Sequence, residues 1–505
     1  MTIMQNAVQQ QRIPAASTNA MHEAYTGTPL NDENAKALYF GLSETQPRRA
    51  VLDAARRYLD GALQDTGPCV SDLPADPAGL DAWIDDNTAL VGAQYETYLA
   101  HRKAGGERRY FHSKAHALYF LKSVAPTKTV DGAWLYGVLH HFDDCRFGSL
   151  IRIYLEELGT GLADKNHVVL YKKLLAAHGC ERWDNLEDNR YVQGTIQLAL
   201  AHHAQHFLPE LIGFNLGYEQ LPLHLLICAY ELNELGIDPY YFTLHVTVDN
   251  AATGHAKTAL NGLREAWPVV GDTARFYARV MNGYKLNMLG ASTSSVIADF
   301  DLAQEVIAIL REKSAFGKKV HSDYCRVGGR TVNNWLRDPV QIPDFLQQLQ
   351  ESGWIKRNVD PQQSRFWQLL EGERAEMFGV FSTYELQVIH DWIAGDSIGA
   401  GTAPGKPGAK RQLGFKARTR LQAALGQRVN KLAAPALVHS ESLGHDAYDD
   451  QYSDFDHELR GFERRLQQTA NREETMRLLA DMMSPALHHT PVGLHATRLF
   501  ARMFR

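Results

Sequence analysis

From Ala35 to about Ala315 apolar residues recur at three- and four-residue spacing, as in Val51-Leu52-Ala55-Tyr58-Leu59-Ala62-Leu63. That is the repeat of a helix burying one face. Alternation of the strand kind is hard to find over the same stretch. Gly or Pro marks short connections at Gly105-Gly106, Pro126, Gly159-Thr160-Gly161, Gly179 and Gly236-Ile237-Asp238-Pro239. The pattern predicts an all-α bundle of about eight to ten helices over residues 35–317. Residues 1–34 are polar and poor in aromatics, and read as a flexible N-terminal arm. Residues 318–395 predict short helices at Thr331–Leu336, Asp344–Gly353 and Phe381–Ala394, a small helical or winged-helix-like unit. A Gly/Pro-rich linker follows at 396–412, and then a polar helical C-terminal region at 413–505. Its acidic stretch Asp446–Glu458 reads as a solvated surface.

Composition narrows this picture by exclusion. In 505 residues, 45% are hydrophobic and 22% charged, ordinary values for a globular chain long enough to build its own core. A net charge of −6 argues against nucleic acid as the main partner. Winged helices often bind DNA, but residues 318–395 carry no dense Lys/Arg stripe, so no nucleic-acid partner is expected. No apolar run reaches the ~18 residues of a membrane span. Met1 to Ala20 is Gln-rich, without the charged-then-apolar pattern of a signal peptide. Cys69, Cys145, Cys180, Cys228 and Cys325 are widely spaced and form no CxxC pair, which excludes a disulfide scaffold and a thiolate zinc site. A reduced, cytoplasmic setting without membrane attachment is expected. The 22 histidines are about twice the average usage.

The densest candidate chemistry lies in Tyr241–Ala256, YFTLHVTVDNAATGHA. At about 100° per residue, Asp249 falls roughly 40° from His245, and His255 roughly 80° round the other way. A bend near Ala252-Thr253-Gly254 would narrow that sector. Imidazole and carboxylate without thiolate suit iron or manganese. Burying all three side chains costs free energy unless they share a partner such as a metal. The plain alternative is a capped helix whose histidines are satisfied by hydrogen bonds. A second piece is Ile151–Leu170, where Glu156 and Glu157 end one helix before Gly159-Thr160-Gly161, and Asn166 and His167 open the next. Glu157 and His167 can converge across that tight connection, although a helix-terminal Glu is commonly solvated. Asp131 precedes the apolar run Gly132-Ala133-Trp134-Leu135, where an N-cap is its simplest role. His140-His141 and Asp143-Asp144 read as a polar face.

The order Asp131, Glu157 with His167 ten residues on, and His245 with Asp249 four later and a following His resembles the heme-oxygenase-like diiron oxidases and oxygenases, also called iron-containing redox enzymes. The resemblance covers about residues 90–260, and more loosely runs on to 395. It implies an all-α heme-oxygenase-like helical bundle holding two non-haem iron ions, with an additional C-terminal helical region. It implies the ligand set Asp131, Glu157, His167, His245, Asp249 and His255. Two positions depart from the family's pattern. Ala252 stands where the last histidine is usual, so His255 takes that part six residues after Asp249, and Asp131 stands where Glu is usual. FLPELIGFNLGYE (Phe207–Glu219) also resembles the family, with Glu210 as a supporting residue.

By the same resemblance, iron in such a cage binds and reduces O2 as co-substrate. The expected activity is N-oxygenation of an amine or guanidine group of a small metabolite. Oxidative desaturation or C–C cleavage of an amino or fatty acid is the alternative, and a non-catalytic helical regulatory protein is a second one. A small-molecule substrate is expected as partner, with an electron donor or reductase beside it. The reading requires that the rings of His167 and His245 meet; a separation beyond ~10 Å would exclude a shared cluster built from bonds near 2 Å.

Overall fold

A computed structural model describes residues 34–248, 254–371, 375–397 and 454–504. The expected N-terminal arm, most of the Gly/Pro linker, the first part of the C-terminal region and Asp249 therefore lie outside the described residues.

The longer helices are α1 (Ala35–Leu42), α2 (Arg49–Asp65), α3 (Leu80–Lys103), α4 (Lys114–Ser123), α5 (Gly148–Glu157), α6 (His167–Ala177) and α7 (Val192–His203). They continue with α8 (Leu208–Tyr218), α9 (Leu223–Glu234), α10 (Tyr240–Val248), α11 (His255–Glu265) and α12 (Thr273–Lys285). Then come α13 (Leu302–Gly317), α14 (Ile342–Glu351), α15 (Thr383–Ala394), α16 (Asp454–Gln467), α17 (Arg472–Met482) and α18 (Pro491–Met503). Among the described residues, sheet is confined to a two-stranded antiparallel ribbon, β1 (Arg326–Val327) and β2 (Arg330–Thr331), closed by Gly328-Gly329. The fold is all-α, as the three- and four-residue spacing predicts. No described helix is long and apolar enough to cross a membrane.

Two apolar cores divide the bundle. One is built by α1, α2, α5, α7, α8, α11 and α12 around Trp134, Ile151, Tyr154, Leu198, Phe214 and Val280, each fully buried. The other joins α4, α6 and α9 to α13, α14 and α15 around Phe111, Leu118, Tyr171, Ile227, Ile342 and Val388. At ~25 cal/mol per Å² of buried apolar surface, such side chains supply the main force of folding. Residues 318–395 are thus packed onto the second core: Trp335, Phe345, Trp367 and Ile389 are buried in it.

The C-terminal helices carry an apolar inner side. Met476, Leu479, Ala480 and Met483, at i, i+3, i+4 and i+7, are fully buried in the first core together with Phe500. The boundary that matters most runs between α5 and α6. The first belongs to one core and the second to the other, and the chain passes between them through Gly159-Thr160-Gly161, all three at positive φ (60°, 49° and 83°).

Candidate metal centre

Asp131 lies just before a 3-10 helix, Ala133–His141, and its side chain does not cap it. It points into the bundle, fully buried, where Oδ1 accepts from the Tyr218 hydroxyl at 3.0 Å and Oδ2 from the Tyr241 hydroxyl at 2.6 Å. Its neighbour Gly132 has φ 79°, and a Cβ there would come within 2.8 Å of the Glu157 Cβ. Only glycine lets this loop approach α5 so closely.

Glu157 ends α5, and His167 begins α6 behind the cap made by Asn166, whose Oδ1 accepts from the Val169 amide at 3.0 Å. Both are buried, and His167 Nδ1 stands 2.5 Å from Glu157 Oε2 and 4.0 Å from Asp131 Oδ2. His245, on α10, gives its Nδ1–H to the Tyr241 carbonyl at 2.8 Å, one turn back. Its other nitrogen, Nε2, is thereby turned toward the cluster and stands 3.2 Å from Asp131 Oδ2. The rings of His167 and His245 are 4.3 Å apart between centroids, well inside the ~10 Å limit.

His255 opens α11, the helix that follows α10 after residues outside the description. Its Nε2 is 2.7 Å from Glu156 Oε2 at the half-exposed edge of α5. Its Nδ1 faces inward, 2.9 Å from Glu219 Oε2 and 3.4 Å from Glu157 Oε1. A histidine held by a carboxylate on its outer nitrogen presents the inner one for coordination.

The donors fall into two groups, each with ligand atoms mutually within 4.8 Å: Asp131, Glu157, His167 and His245 form one, and Glu157, Glu219 and His255 the other. Glu157 belongs to both, with Oε2 toward His167 and Oε1 toward His255. Of the six residues expected as ligands, five are brought together here. Asp249 lies outside the described residues.

Glu219 is the member that the sequence reading passes over. Glu210, the carboxylate singled out in the same helix, turns away and forms a salt bridge with Arg279 (Nε to Oε1, 2.6 Å). Nine residues at about 100° each put these two carboxylates on opposite faces of α8. Pro209 through Leu216 are buried on every side, so apolar patterning does not say which face looks inward.

Three buried carboxylates packed together shape the local electrostatics. Burial pushes the Asp131 carboxyl up, but the Lys128 ammonium and His245 outweigh that and bring it down to about 2. Burial likewise opposes charge on Glu157, yet His167 and His255 hold it well below the usual carboxylate range. Glu219 is raised by burial, reinforced by Glu157 and Asp131 and only partly offset by His255. Burial works against charge on His167 and His255, and the facing carboxylates raise both nonetheless.

Buried like charges at this spacing need a cation among them. The donors are all nitrogen or oxygen, which suits iron. Among the described residues, Glu219 Oε1 is buried with no hydrogen-bond partner, and Glu219 belongs to the second group. The residues present thus fit a metal-binding role.

A cavity of about 220 Å³ opens onto Glu157, Glu219 and His245. Its wall includes Lys128, whose ammonium donates to the Tyr218 hydroxyl at 3.2 Å and lies 3.9 Å from Asp131 Oδ1. Val91, Leu221, Leu223 and Met288 supply apolar surface.

Comparison with known proteins agrees with this chemistry. No curated protein and no solved structure matches the chain. A family model does: residues 118–287 match that of the iron-containing redox enzymes. The matched segment spans Asp131 to His255 and so contains every member of both groups. Through residues 118–287, the chain is similar to the iron-containing redox enzyme family.

Proposed function

We propose that the chain is an O2-activating oxidoreductase that holds two non-haem iron ions, one in each ligand group, and oxidises a small amine- or guanidine-bearing metabolite at nitrogen. The observation that carries this reading is the position of Glu157, a single buried carboxylate with one oxygen toward each group. When bound, ferrous iron supplies the electrons and open positions that O2 chemistry requires.

The chain's own residues do the rest. Tyr218 and Tyr241 fix the Asp131 carboxylate by donating to its two oxygens. The Tyr241 carbonyl fixes the His245 tautomer, and Glu156 orients His255. Lys128 is positioned to donate to an anionic group of a substrate in the cavity. A volume of about 220 Å³ lies below the ~300–1,000 Å³ of drug-sized sites, which supports a small metabolite.

Lys128 also favours a second reading, since a carboxylate held there fits oxidative desaturation or C–C cleavage of an amino acid equally well. The discriminating experiment is anaerobic iron reconstitution followed by O2-consumption assays over amines, guanidines, amino acids and fatty acids, with product analysis. The proposal predicts two irons per chain and O2 uptake with an amine or guanidine, giving a hydroxylamine or nitro product. An unsaturated or shortened carbon skeleton would transfer the assignment to the second reading. Near-zero iron after both aerobic and anaerobic preparation would overturn both and favour a non-catalytic helical protein.

A further inference from the structure

Residues 472–504 follow the matched segment at a distance in the sequence, yet they press on the connection between Glu157 and His167. Gly161, with φ 83°, faces the last helix so closely that a Cβ would run into the Leu494 carbonyl and the Arg498 side chain. Tyr154, three residues before Glu157, donates its buried hydroxyl to the Met483 carbonyl at 2.6 Å. Lys172 on α6 donates to His489 Nε2 at 2.7 Å.

The contact nearest the ligands is between two buried side chains, Asn166 and His488, 0% and 2% exposed. Asn166 is committed at every polar atom. Its Oδ1 accepts from the Val169 amide as the cap of α6, while Nδ2 lies 3.3 Å from the Leu158 carbonyl and 3.1 Å from His488 Nδ1. Since the cap makes Oδ1 the acceptor, Nδ2 donates, and His488 must present Nδ1 as an acceptor. Its proton then belongs on Nε2, and the ring is neutral. The chain thus runs from the C-terminal segment through His488 to Asn166, and by the peptide bond to His167.

We infer that His488 is a positioning residue for the first ligand group: by holding the Asn166 amide it fixes the first turn of α6 and with it the direction of His167. The inference rests on the two-ion reading of the site. It assigns to residues 472–504 a part in building the centre, and it makes the group containing His167 more dependent on them than the group containing His255. Outer partners of ligating residues typically change metal affinity by about 10- to 100-fold when removed.

The test titrates Fe(II), and separately Co(II) for its visible spectrum, anaerobically into the full-length metal-free chain. His488→Leu removes the acceptor. His488→Asn restores one, because the Asn Oδ1 stands close to where Nδ1 stood. Asn166→Ser keeps a capping oxygen but has no amide to donate. Hydrogen exchange of the Val169 amide is followed in the same proteins without metal.

The expected result is that His488→Leu weakens one of the two ions by about 10- to 100-fold and leaves the other unchanged. His488→Asn should recover most of that loss, Asn166→Ser should reproduce it, and Val169 should exchange faster in both weakened variants. If His488→Leu does not fold, the Asn166→Ser comparison decides. Two ions bound as tightly in His488→Leu as in wild type would overturn the inference. So would a His488→Asn variant as weak as His488→Leu, which would reduce His488 to filling space. A wild-type chain that binds no metal would overturn the two-ion reading instead, and the Val169 exchange would then decide the His488 contact on its own.

Discussion

The two ligand groups share Glu157 and differ in how they are held. Asp131 and His167 are fully buried and His245 lines the cavity; Tyr218 and Tyr241 donate to Asp131, and the Tyr241 carbonyl accepts from His245. The second group is looser. His255 is oriented by Glu156, whose side chain is 54% exposed, and Glu219 keeps one buried oxygen without a hydrogen-bond partner while lining the cavity. A charge held by buried partners is fixed in a low dielectric, whereas one steered by a solvated partner keeps freedom to move. The difference implies a division of labour, with a rigidly held group on one side of Glu157 and an adjustable one on the other.

Glu157 gives the largest expected effect. Glu157→Ala should abolish tight binding at both groups, seen as loss of both irons by elemental analysis with helicity retained; one ion kept at full affinity would show that the groups do not share it. Next come the paired variants His245→Ala and His255→Ala. Each should cost one ion and spare the other, with circular dichroism unchanged. Retention of two irons in either would remove that histidine from the ligand set.

Smaller effects separate the ways in which the groups are held. Glu156→Gln should weaken only the second ion, by about tenfold, the low end for an outer partner. Tyr241→Phe deletes one hydrogen bond to Asp131, about 1 kcal/mol, and should weaken only the first ion, roughly fivefold. An equal effect of either variant on both ions would dissolve the distinction between the groups.

Acid titration of metal binding must be read above the window in which the fold itself weakens. Burial lowers His116 from 6.5 to about 4, overcoming the bond from its Nε2 to the Ile297 carbonyl. The folded chain therefore binds fewer protons than the unfolded one between those values. Its contribution to stability is complete above pH 6.5 and falls away toward pH 4, at no more than about 1.4 kcal/mol per pH unit. Denaturant melts of metal-free protein at pH 7 and 5 should show that loss, and His116→Phe should flatten it.

Much of the first group is legible in the sequence, because its signals are local. Gly159-Thr160-Gly161 marks the end of α5 after Glu157, and Asn166 is a strong cap immediately before His167. The helix break before His255 is foreshadowed by Gly254, which becomes its N-cap. Asp131 reads as a cap because Asp before an apolar run usually is one, and nothing local reveals that Tyr218 and Tyr241 claim its oxygens across 87 and 110 residues. Glu219 is hidden for a related reason. In a helix buried on all sides, either carboxylate needs a partner, and only the tertiary contact between Glu210 and Arg279 shows which one is already satisfied. The stripe Met476, Leu479, Ala480 and Met483 is visible in the sequence, but the polar residues around it mask how deeply it packs.

The most direct test is a crystal structure of the chain loaded anaerobically with Fe(II), with anomalous maps recorded on both sides of the iron edge. Two iron peaks should flank Glu157, one among Asp131, His167 and His245 and the other beside Glu219 and His255. A single peak, or iron bound away from Glu157, would contradict the two-ion reading.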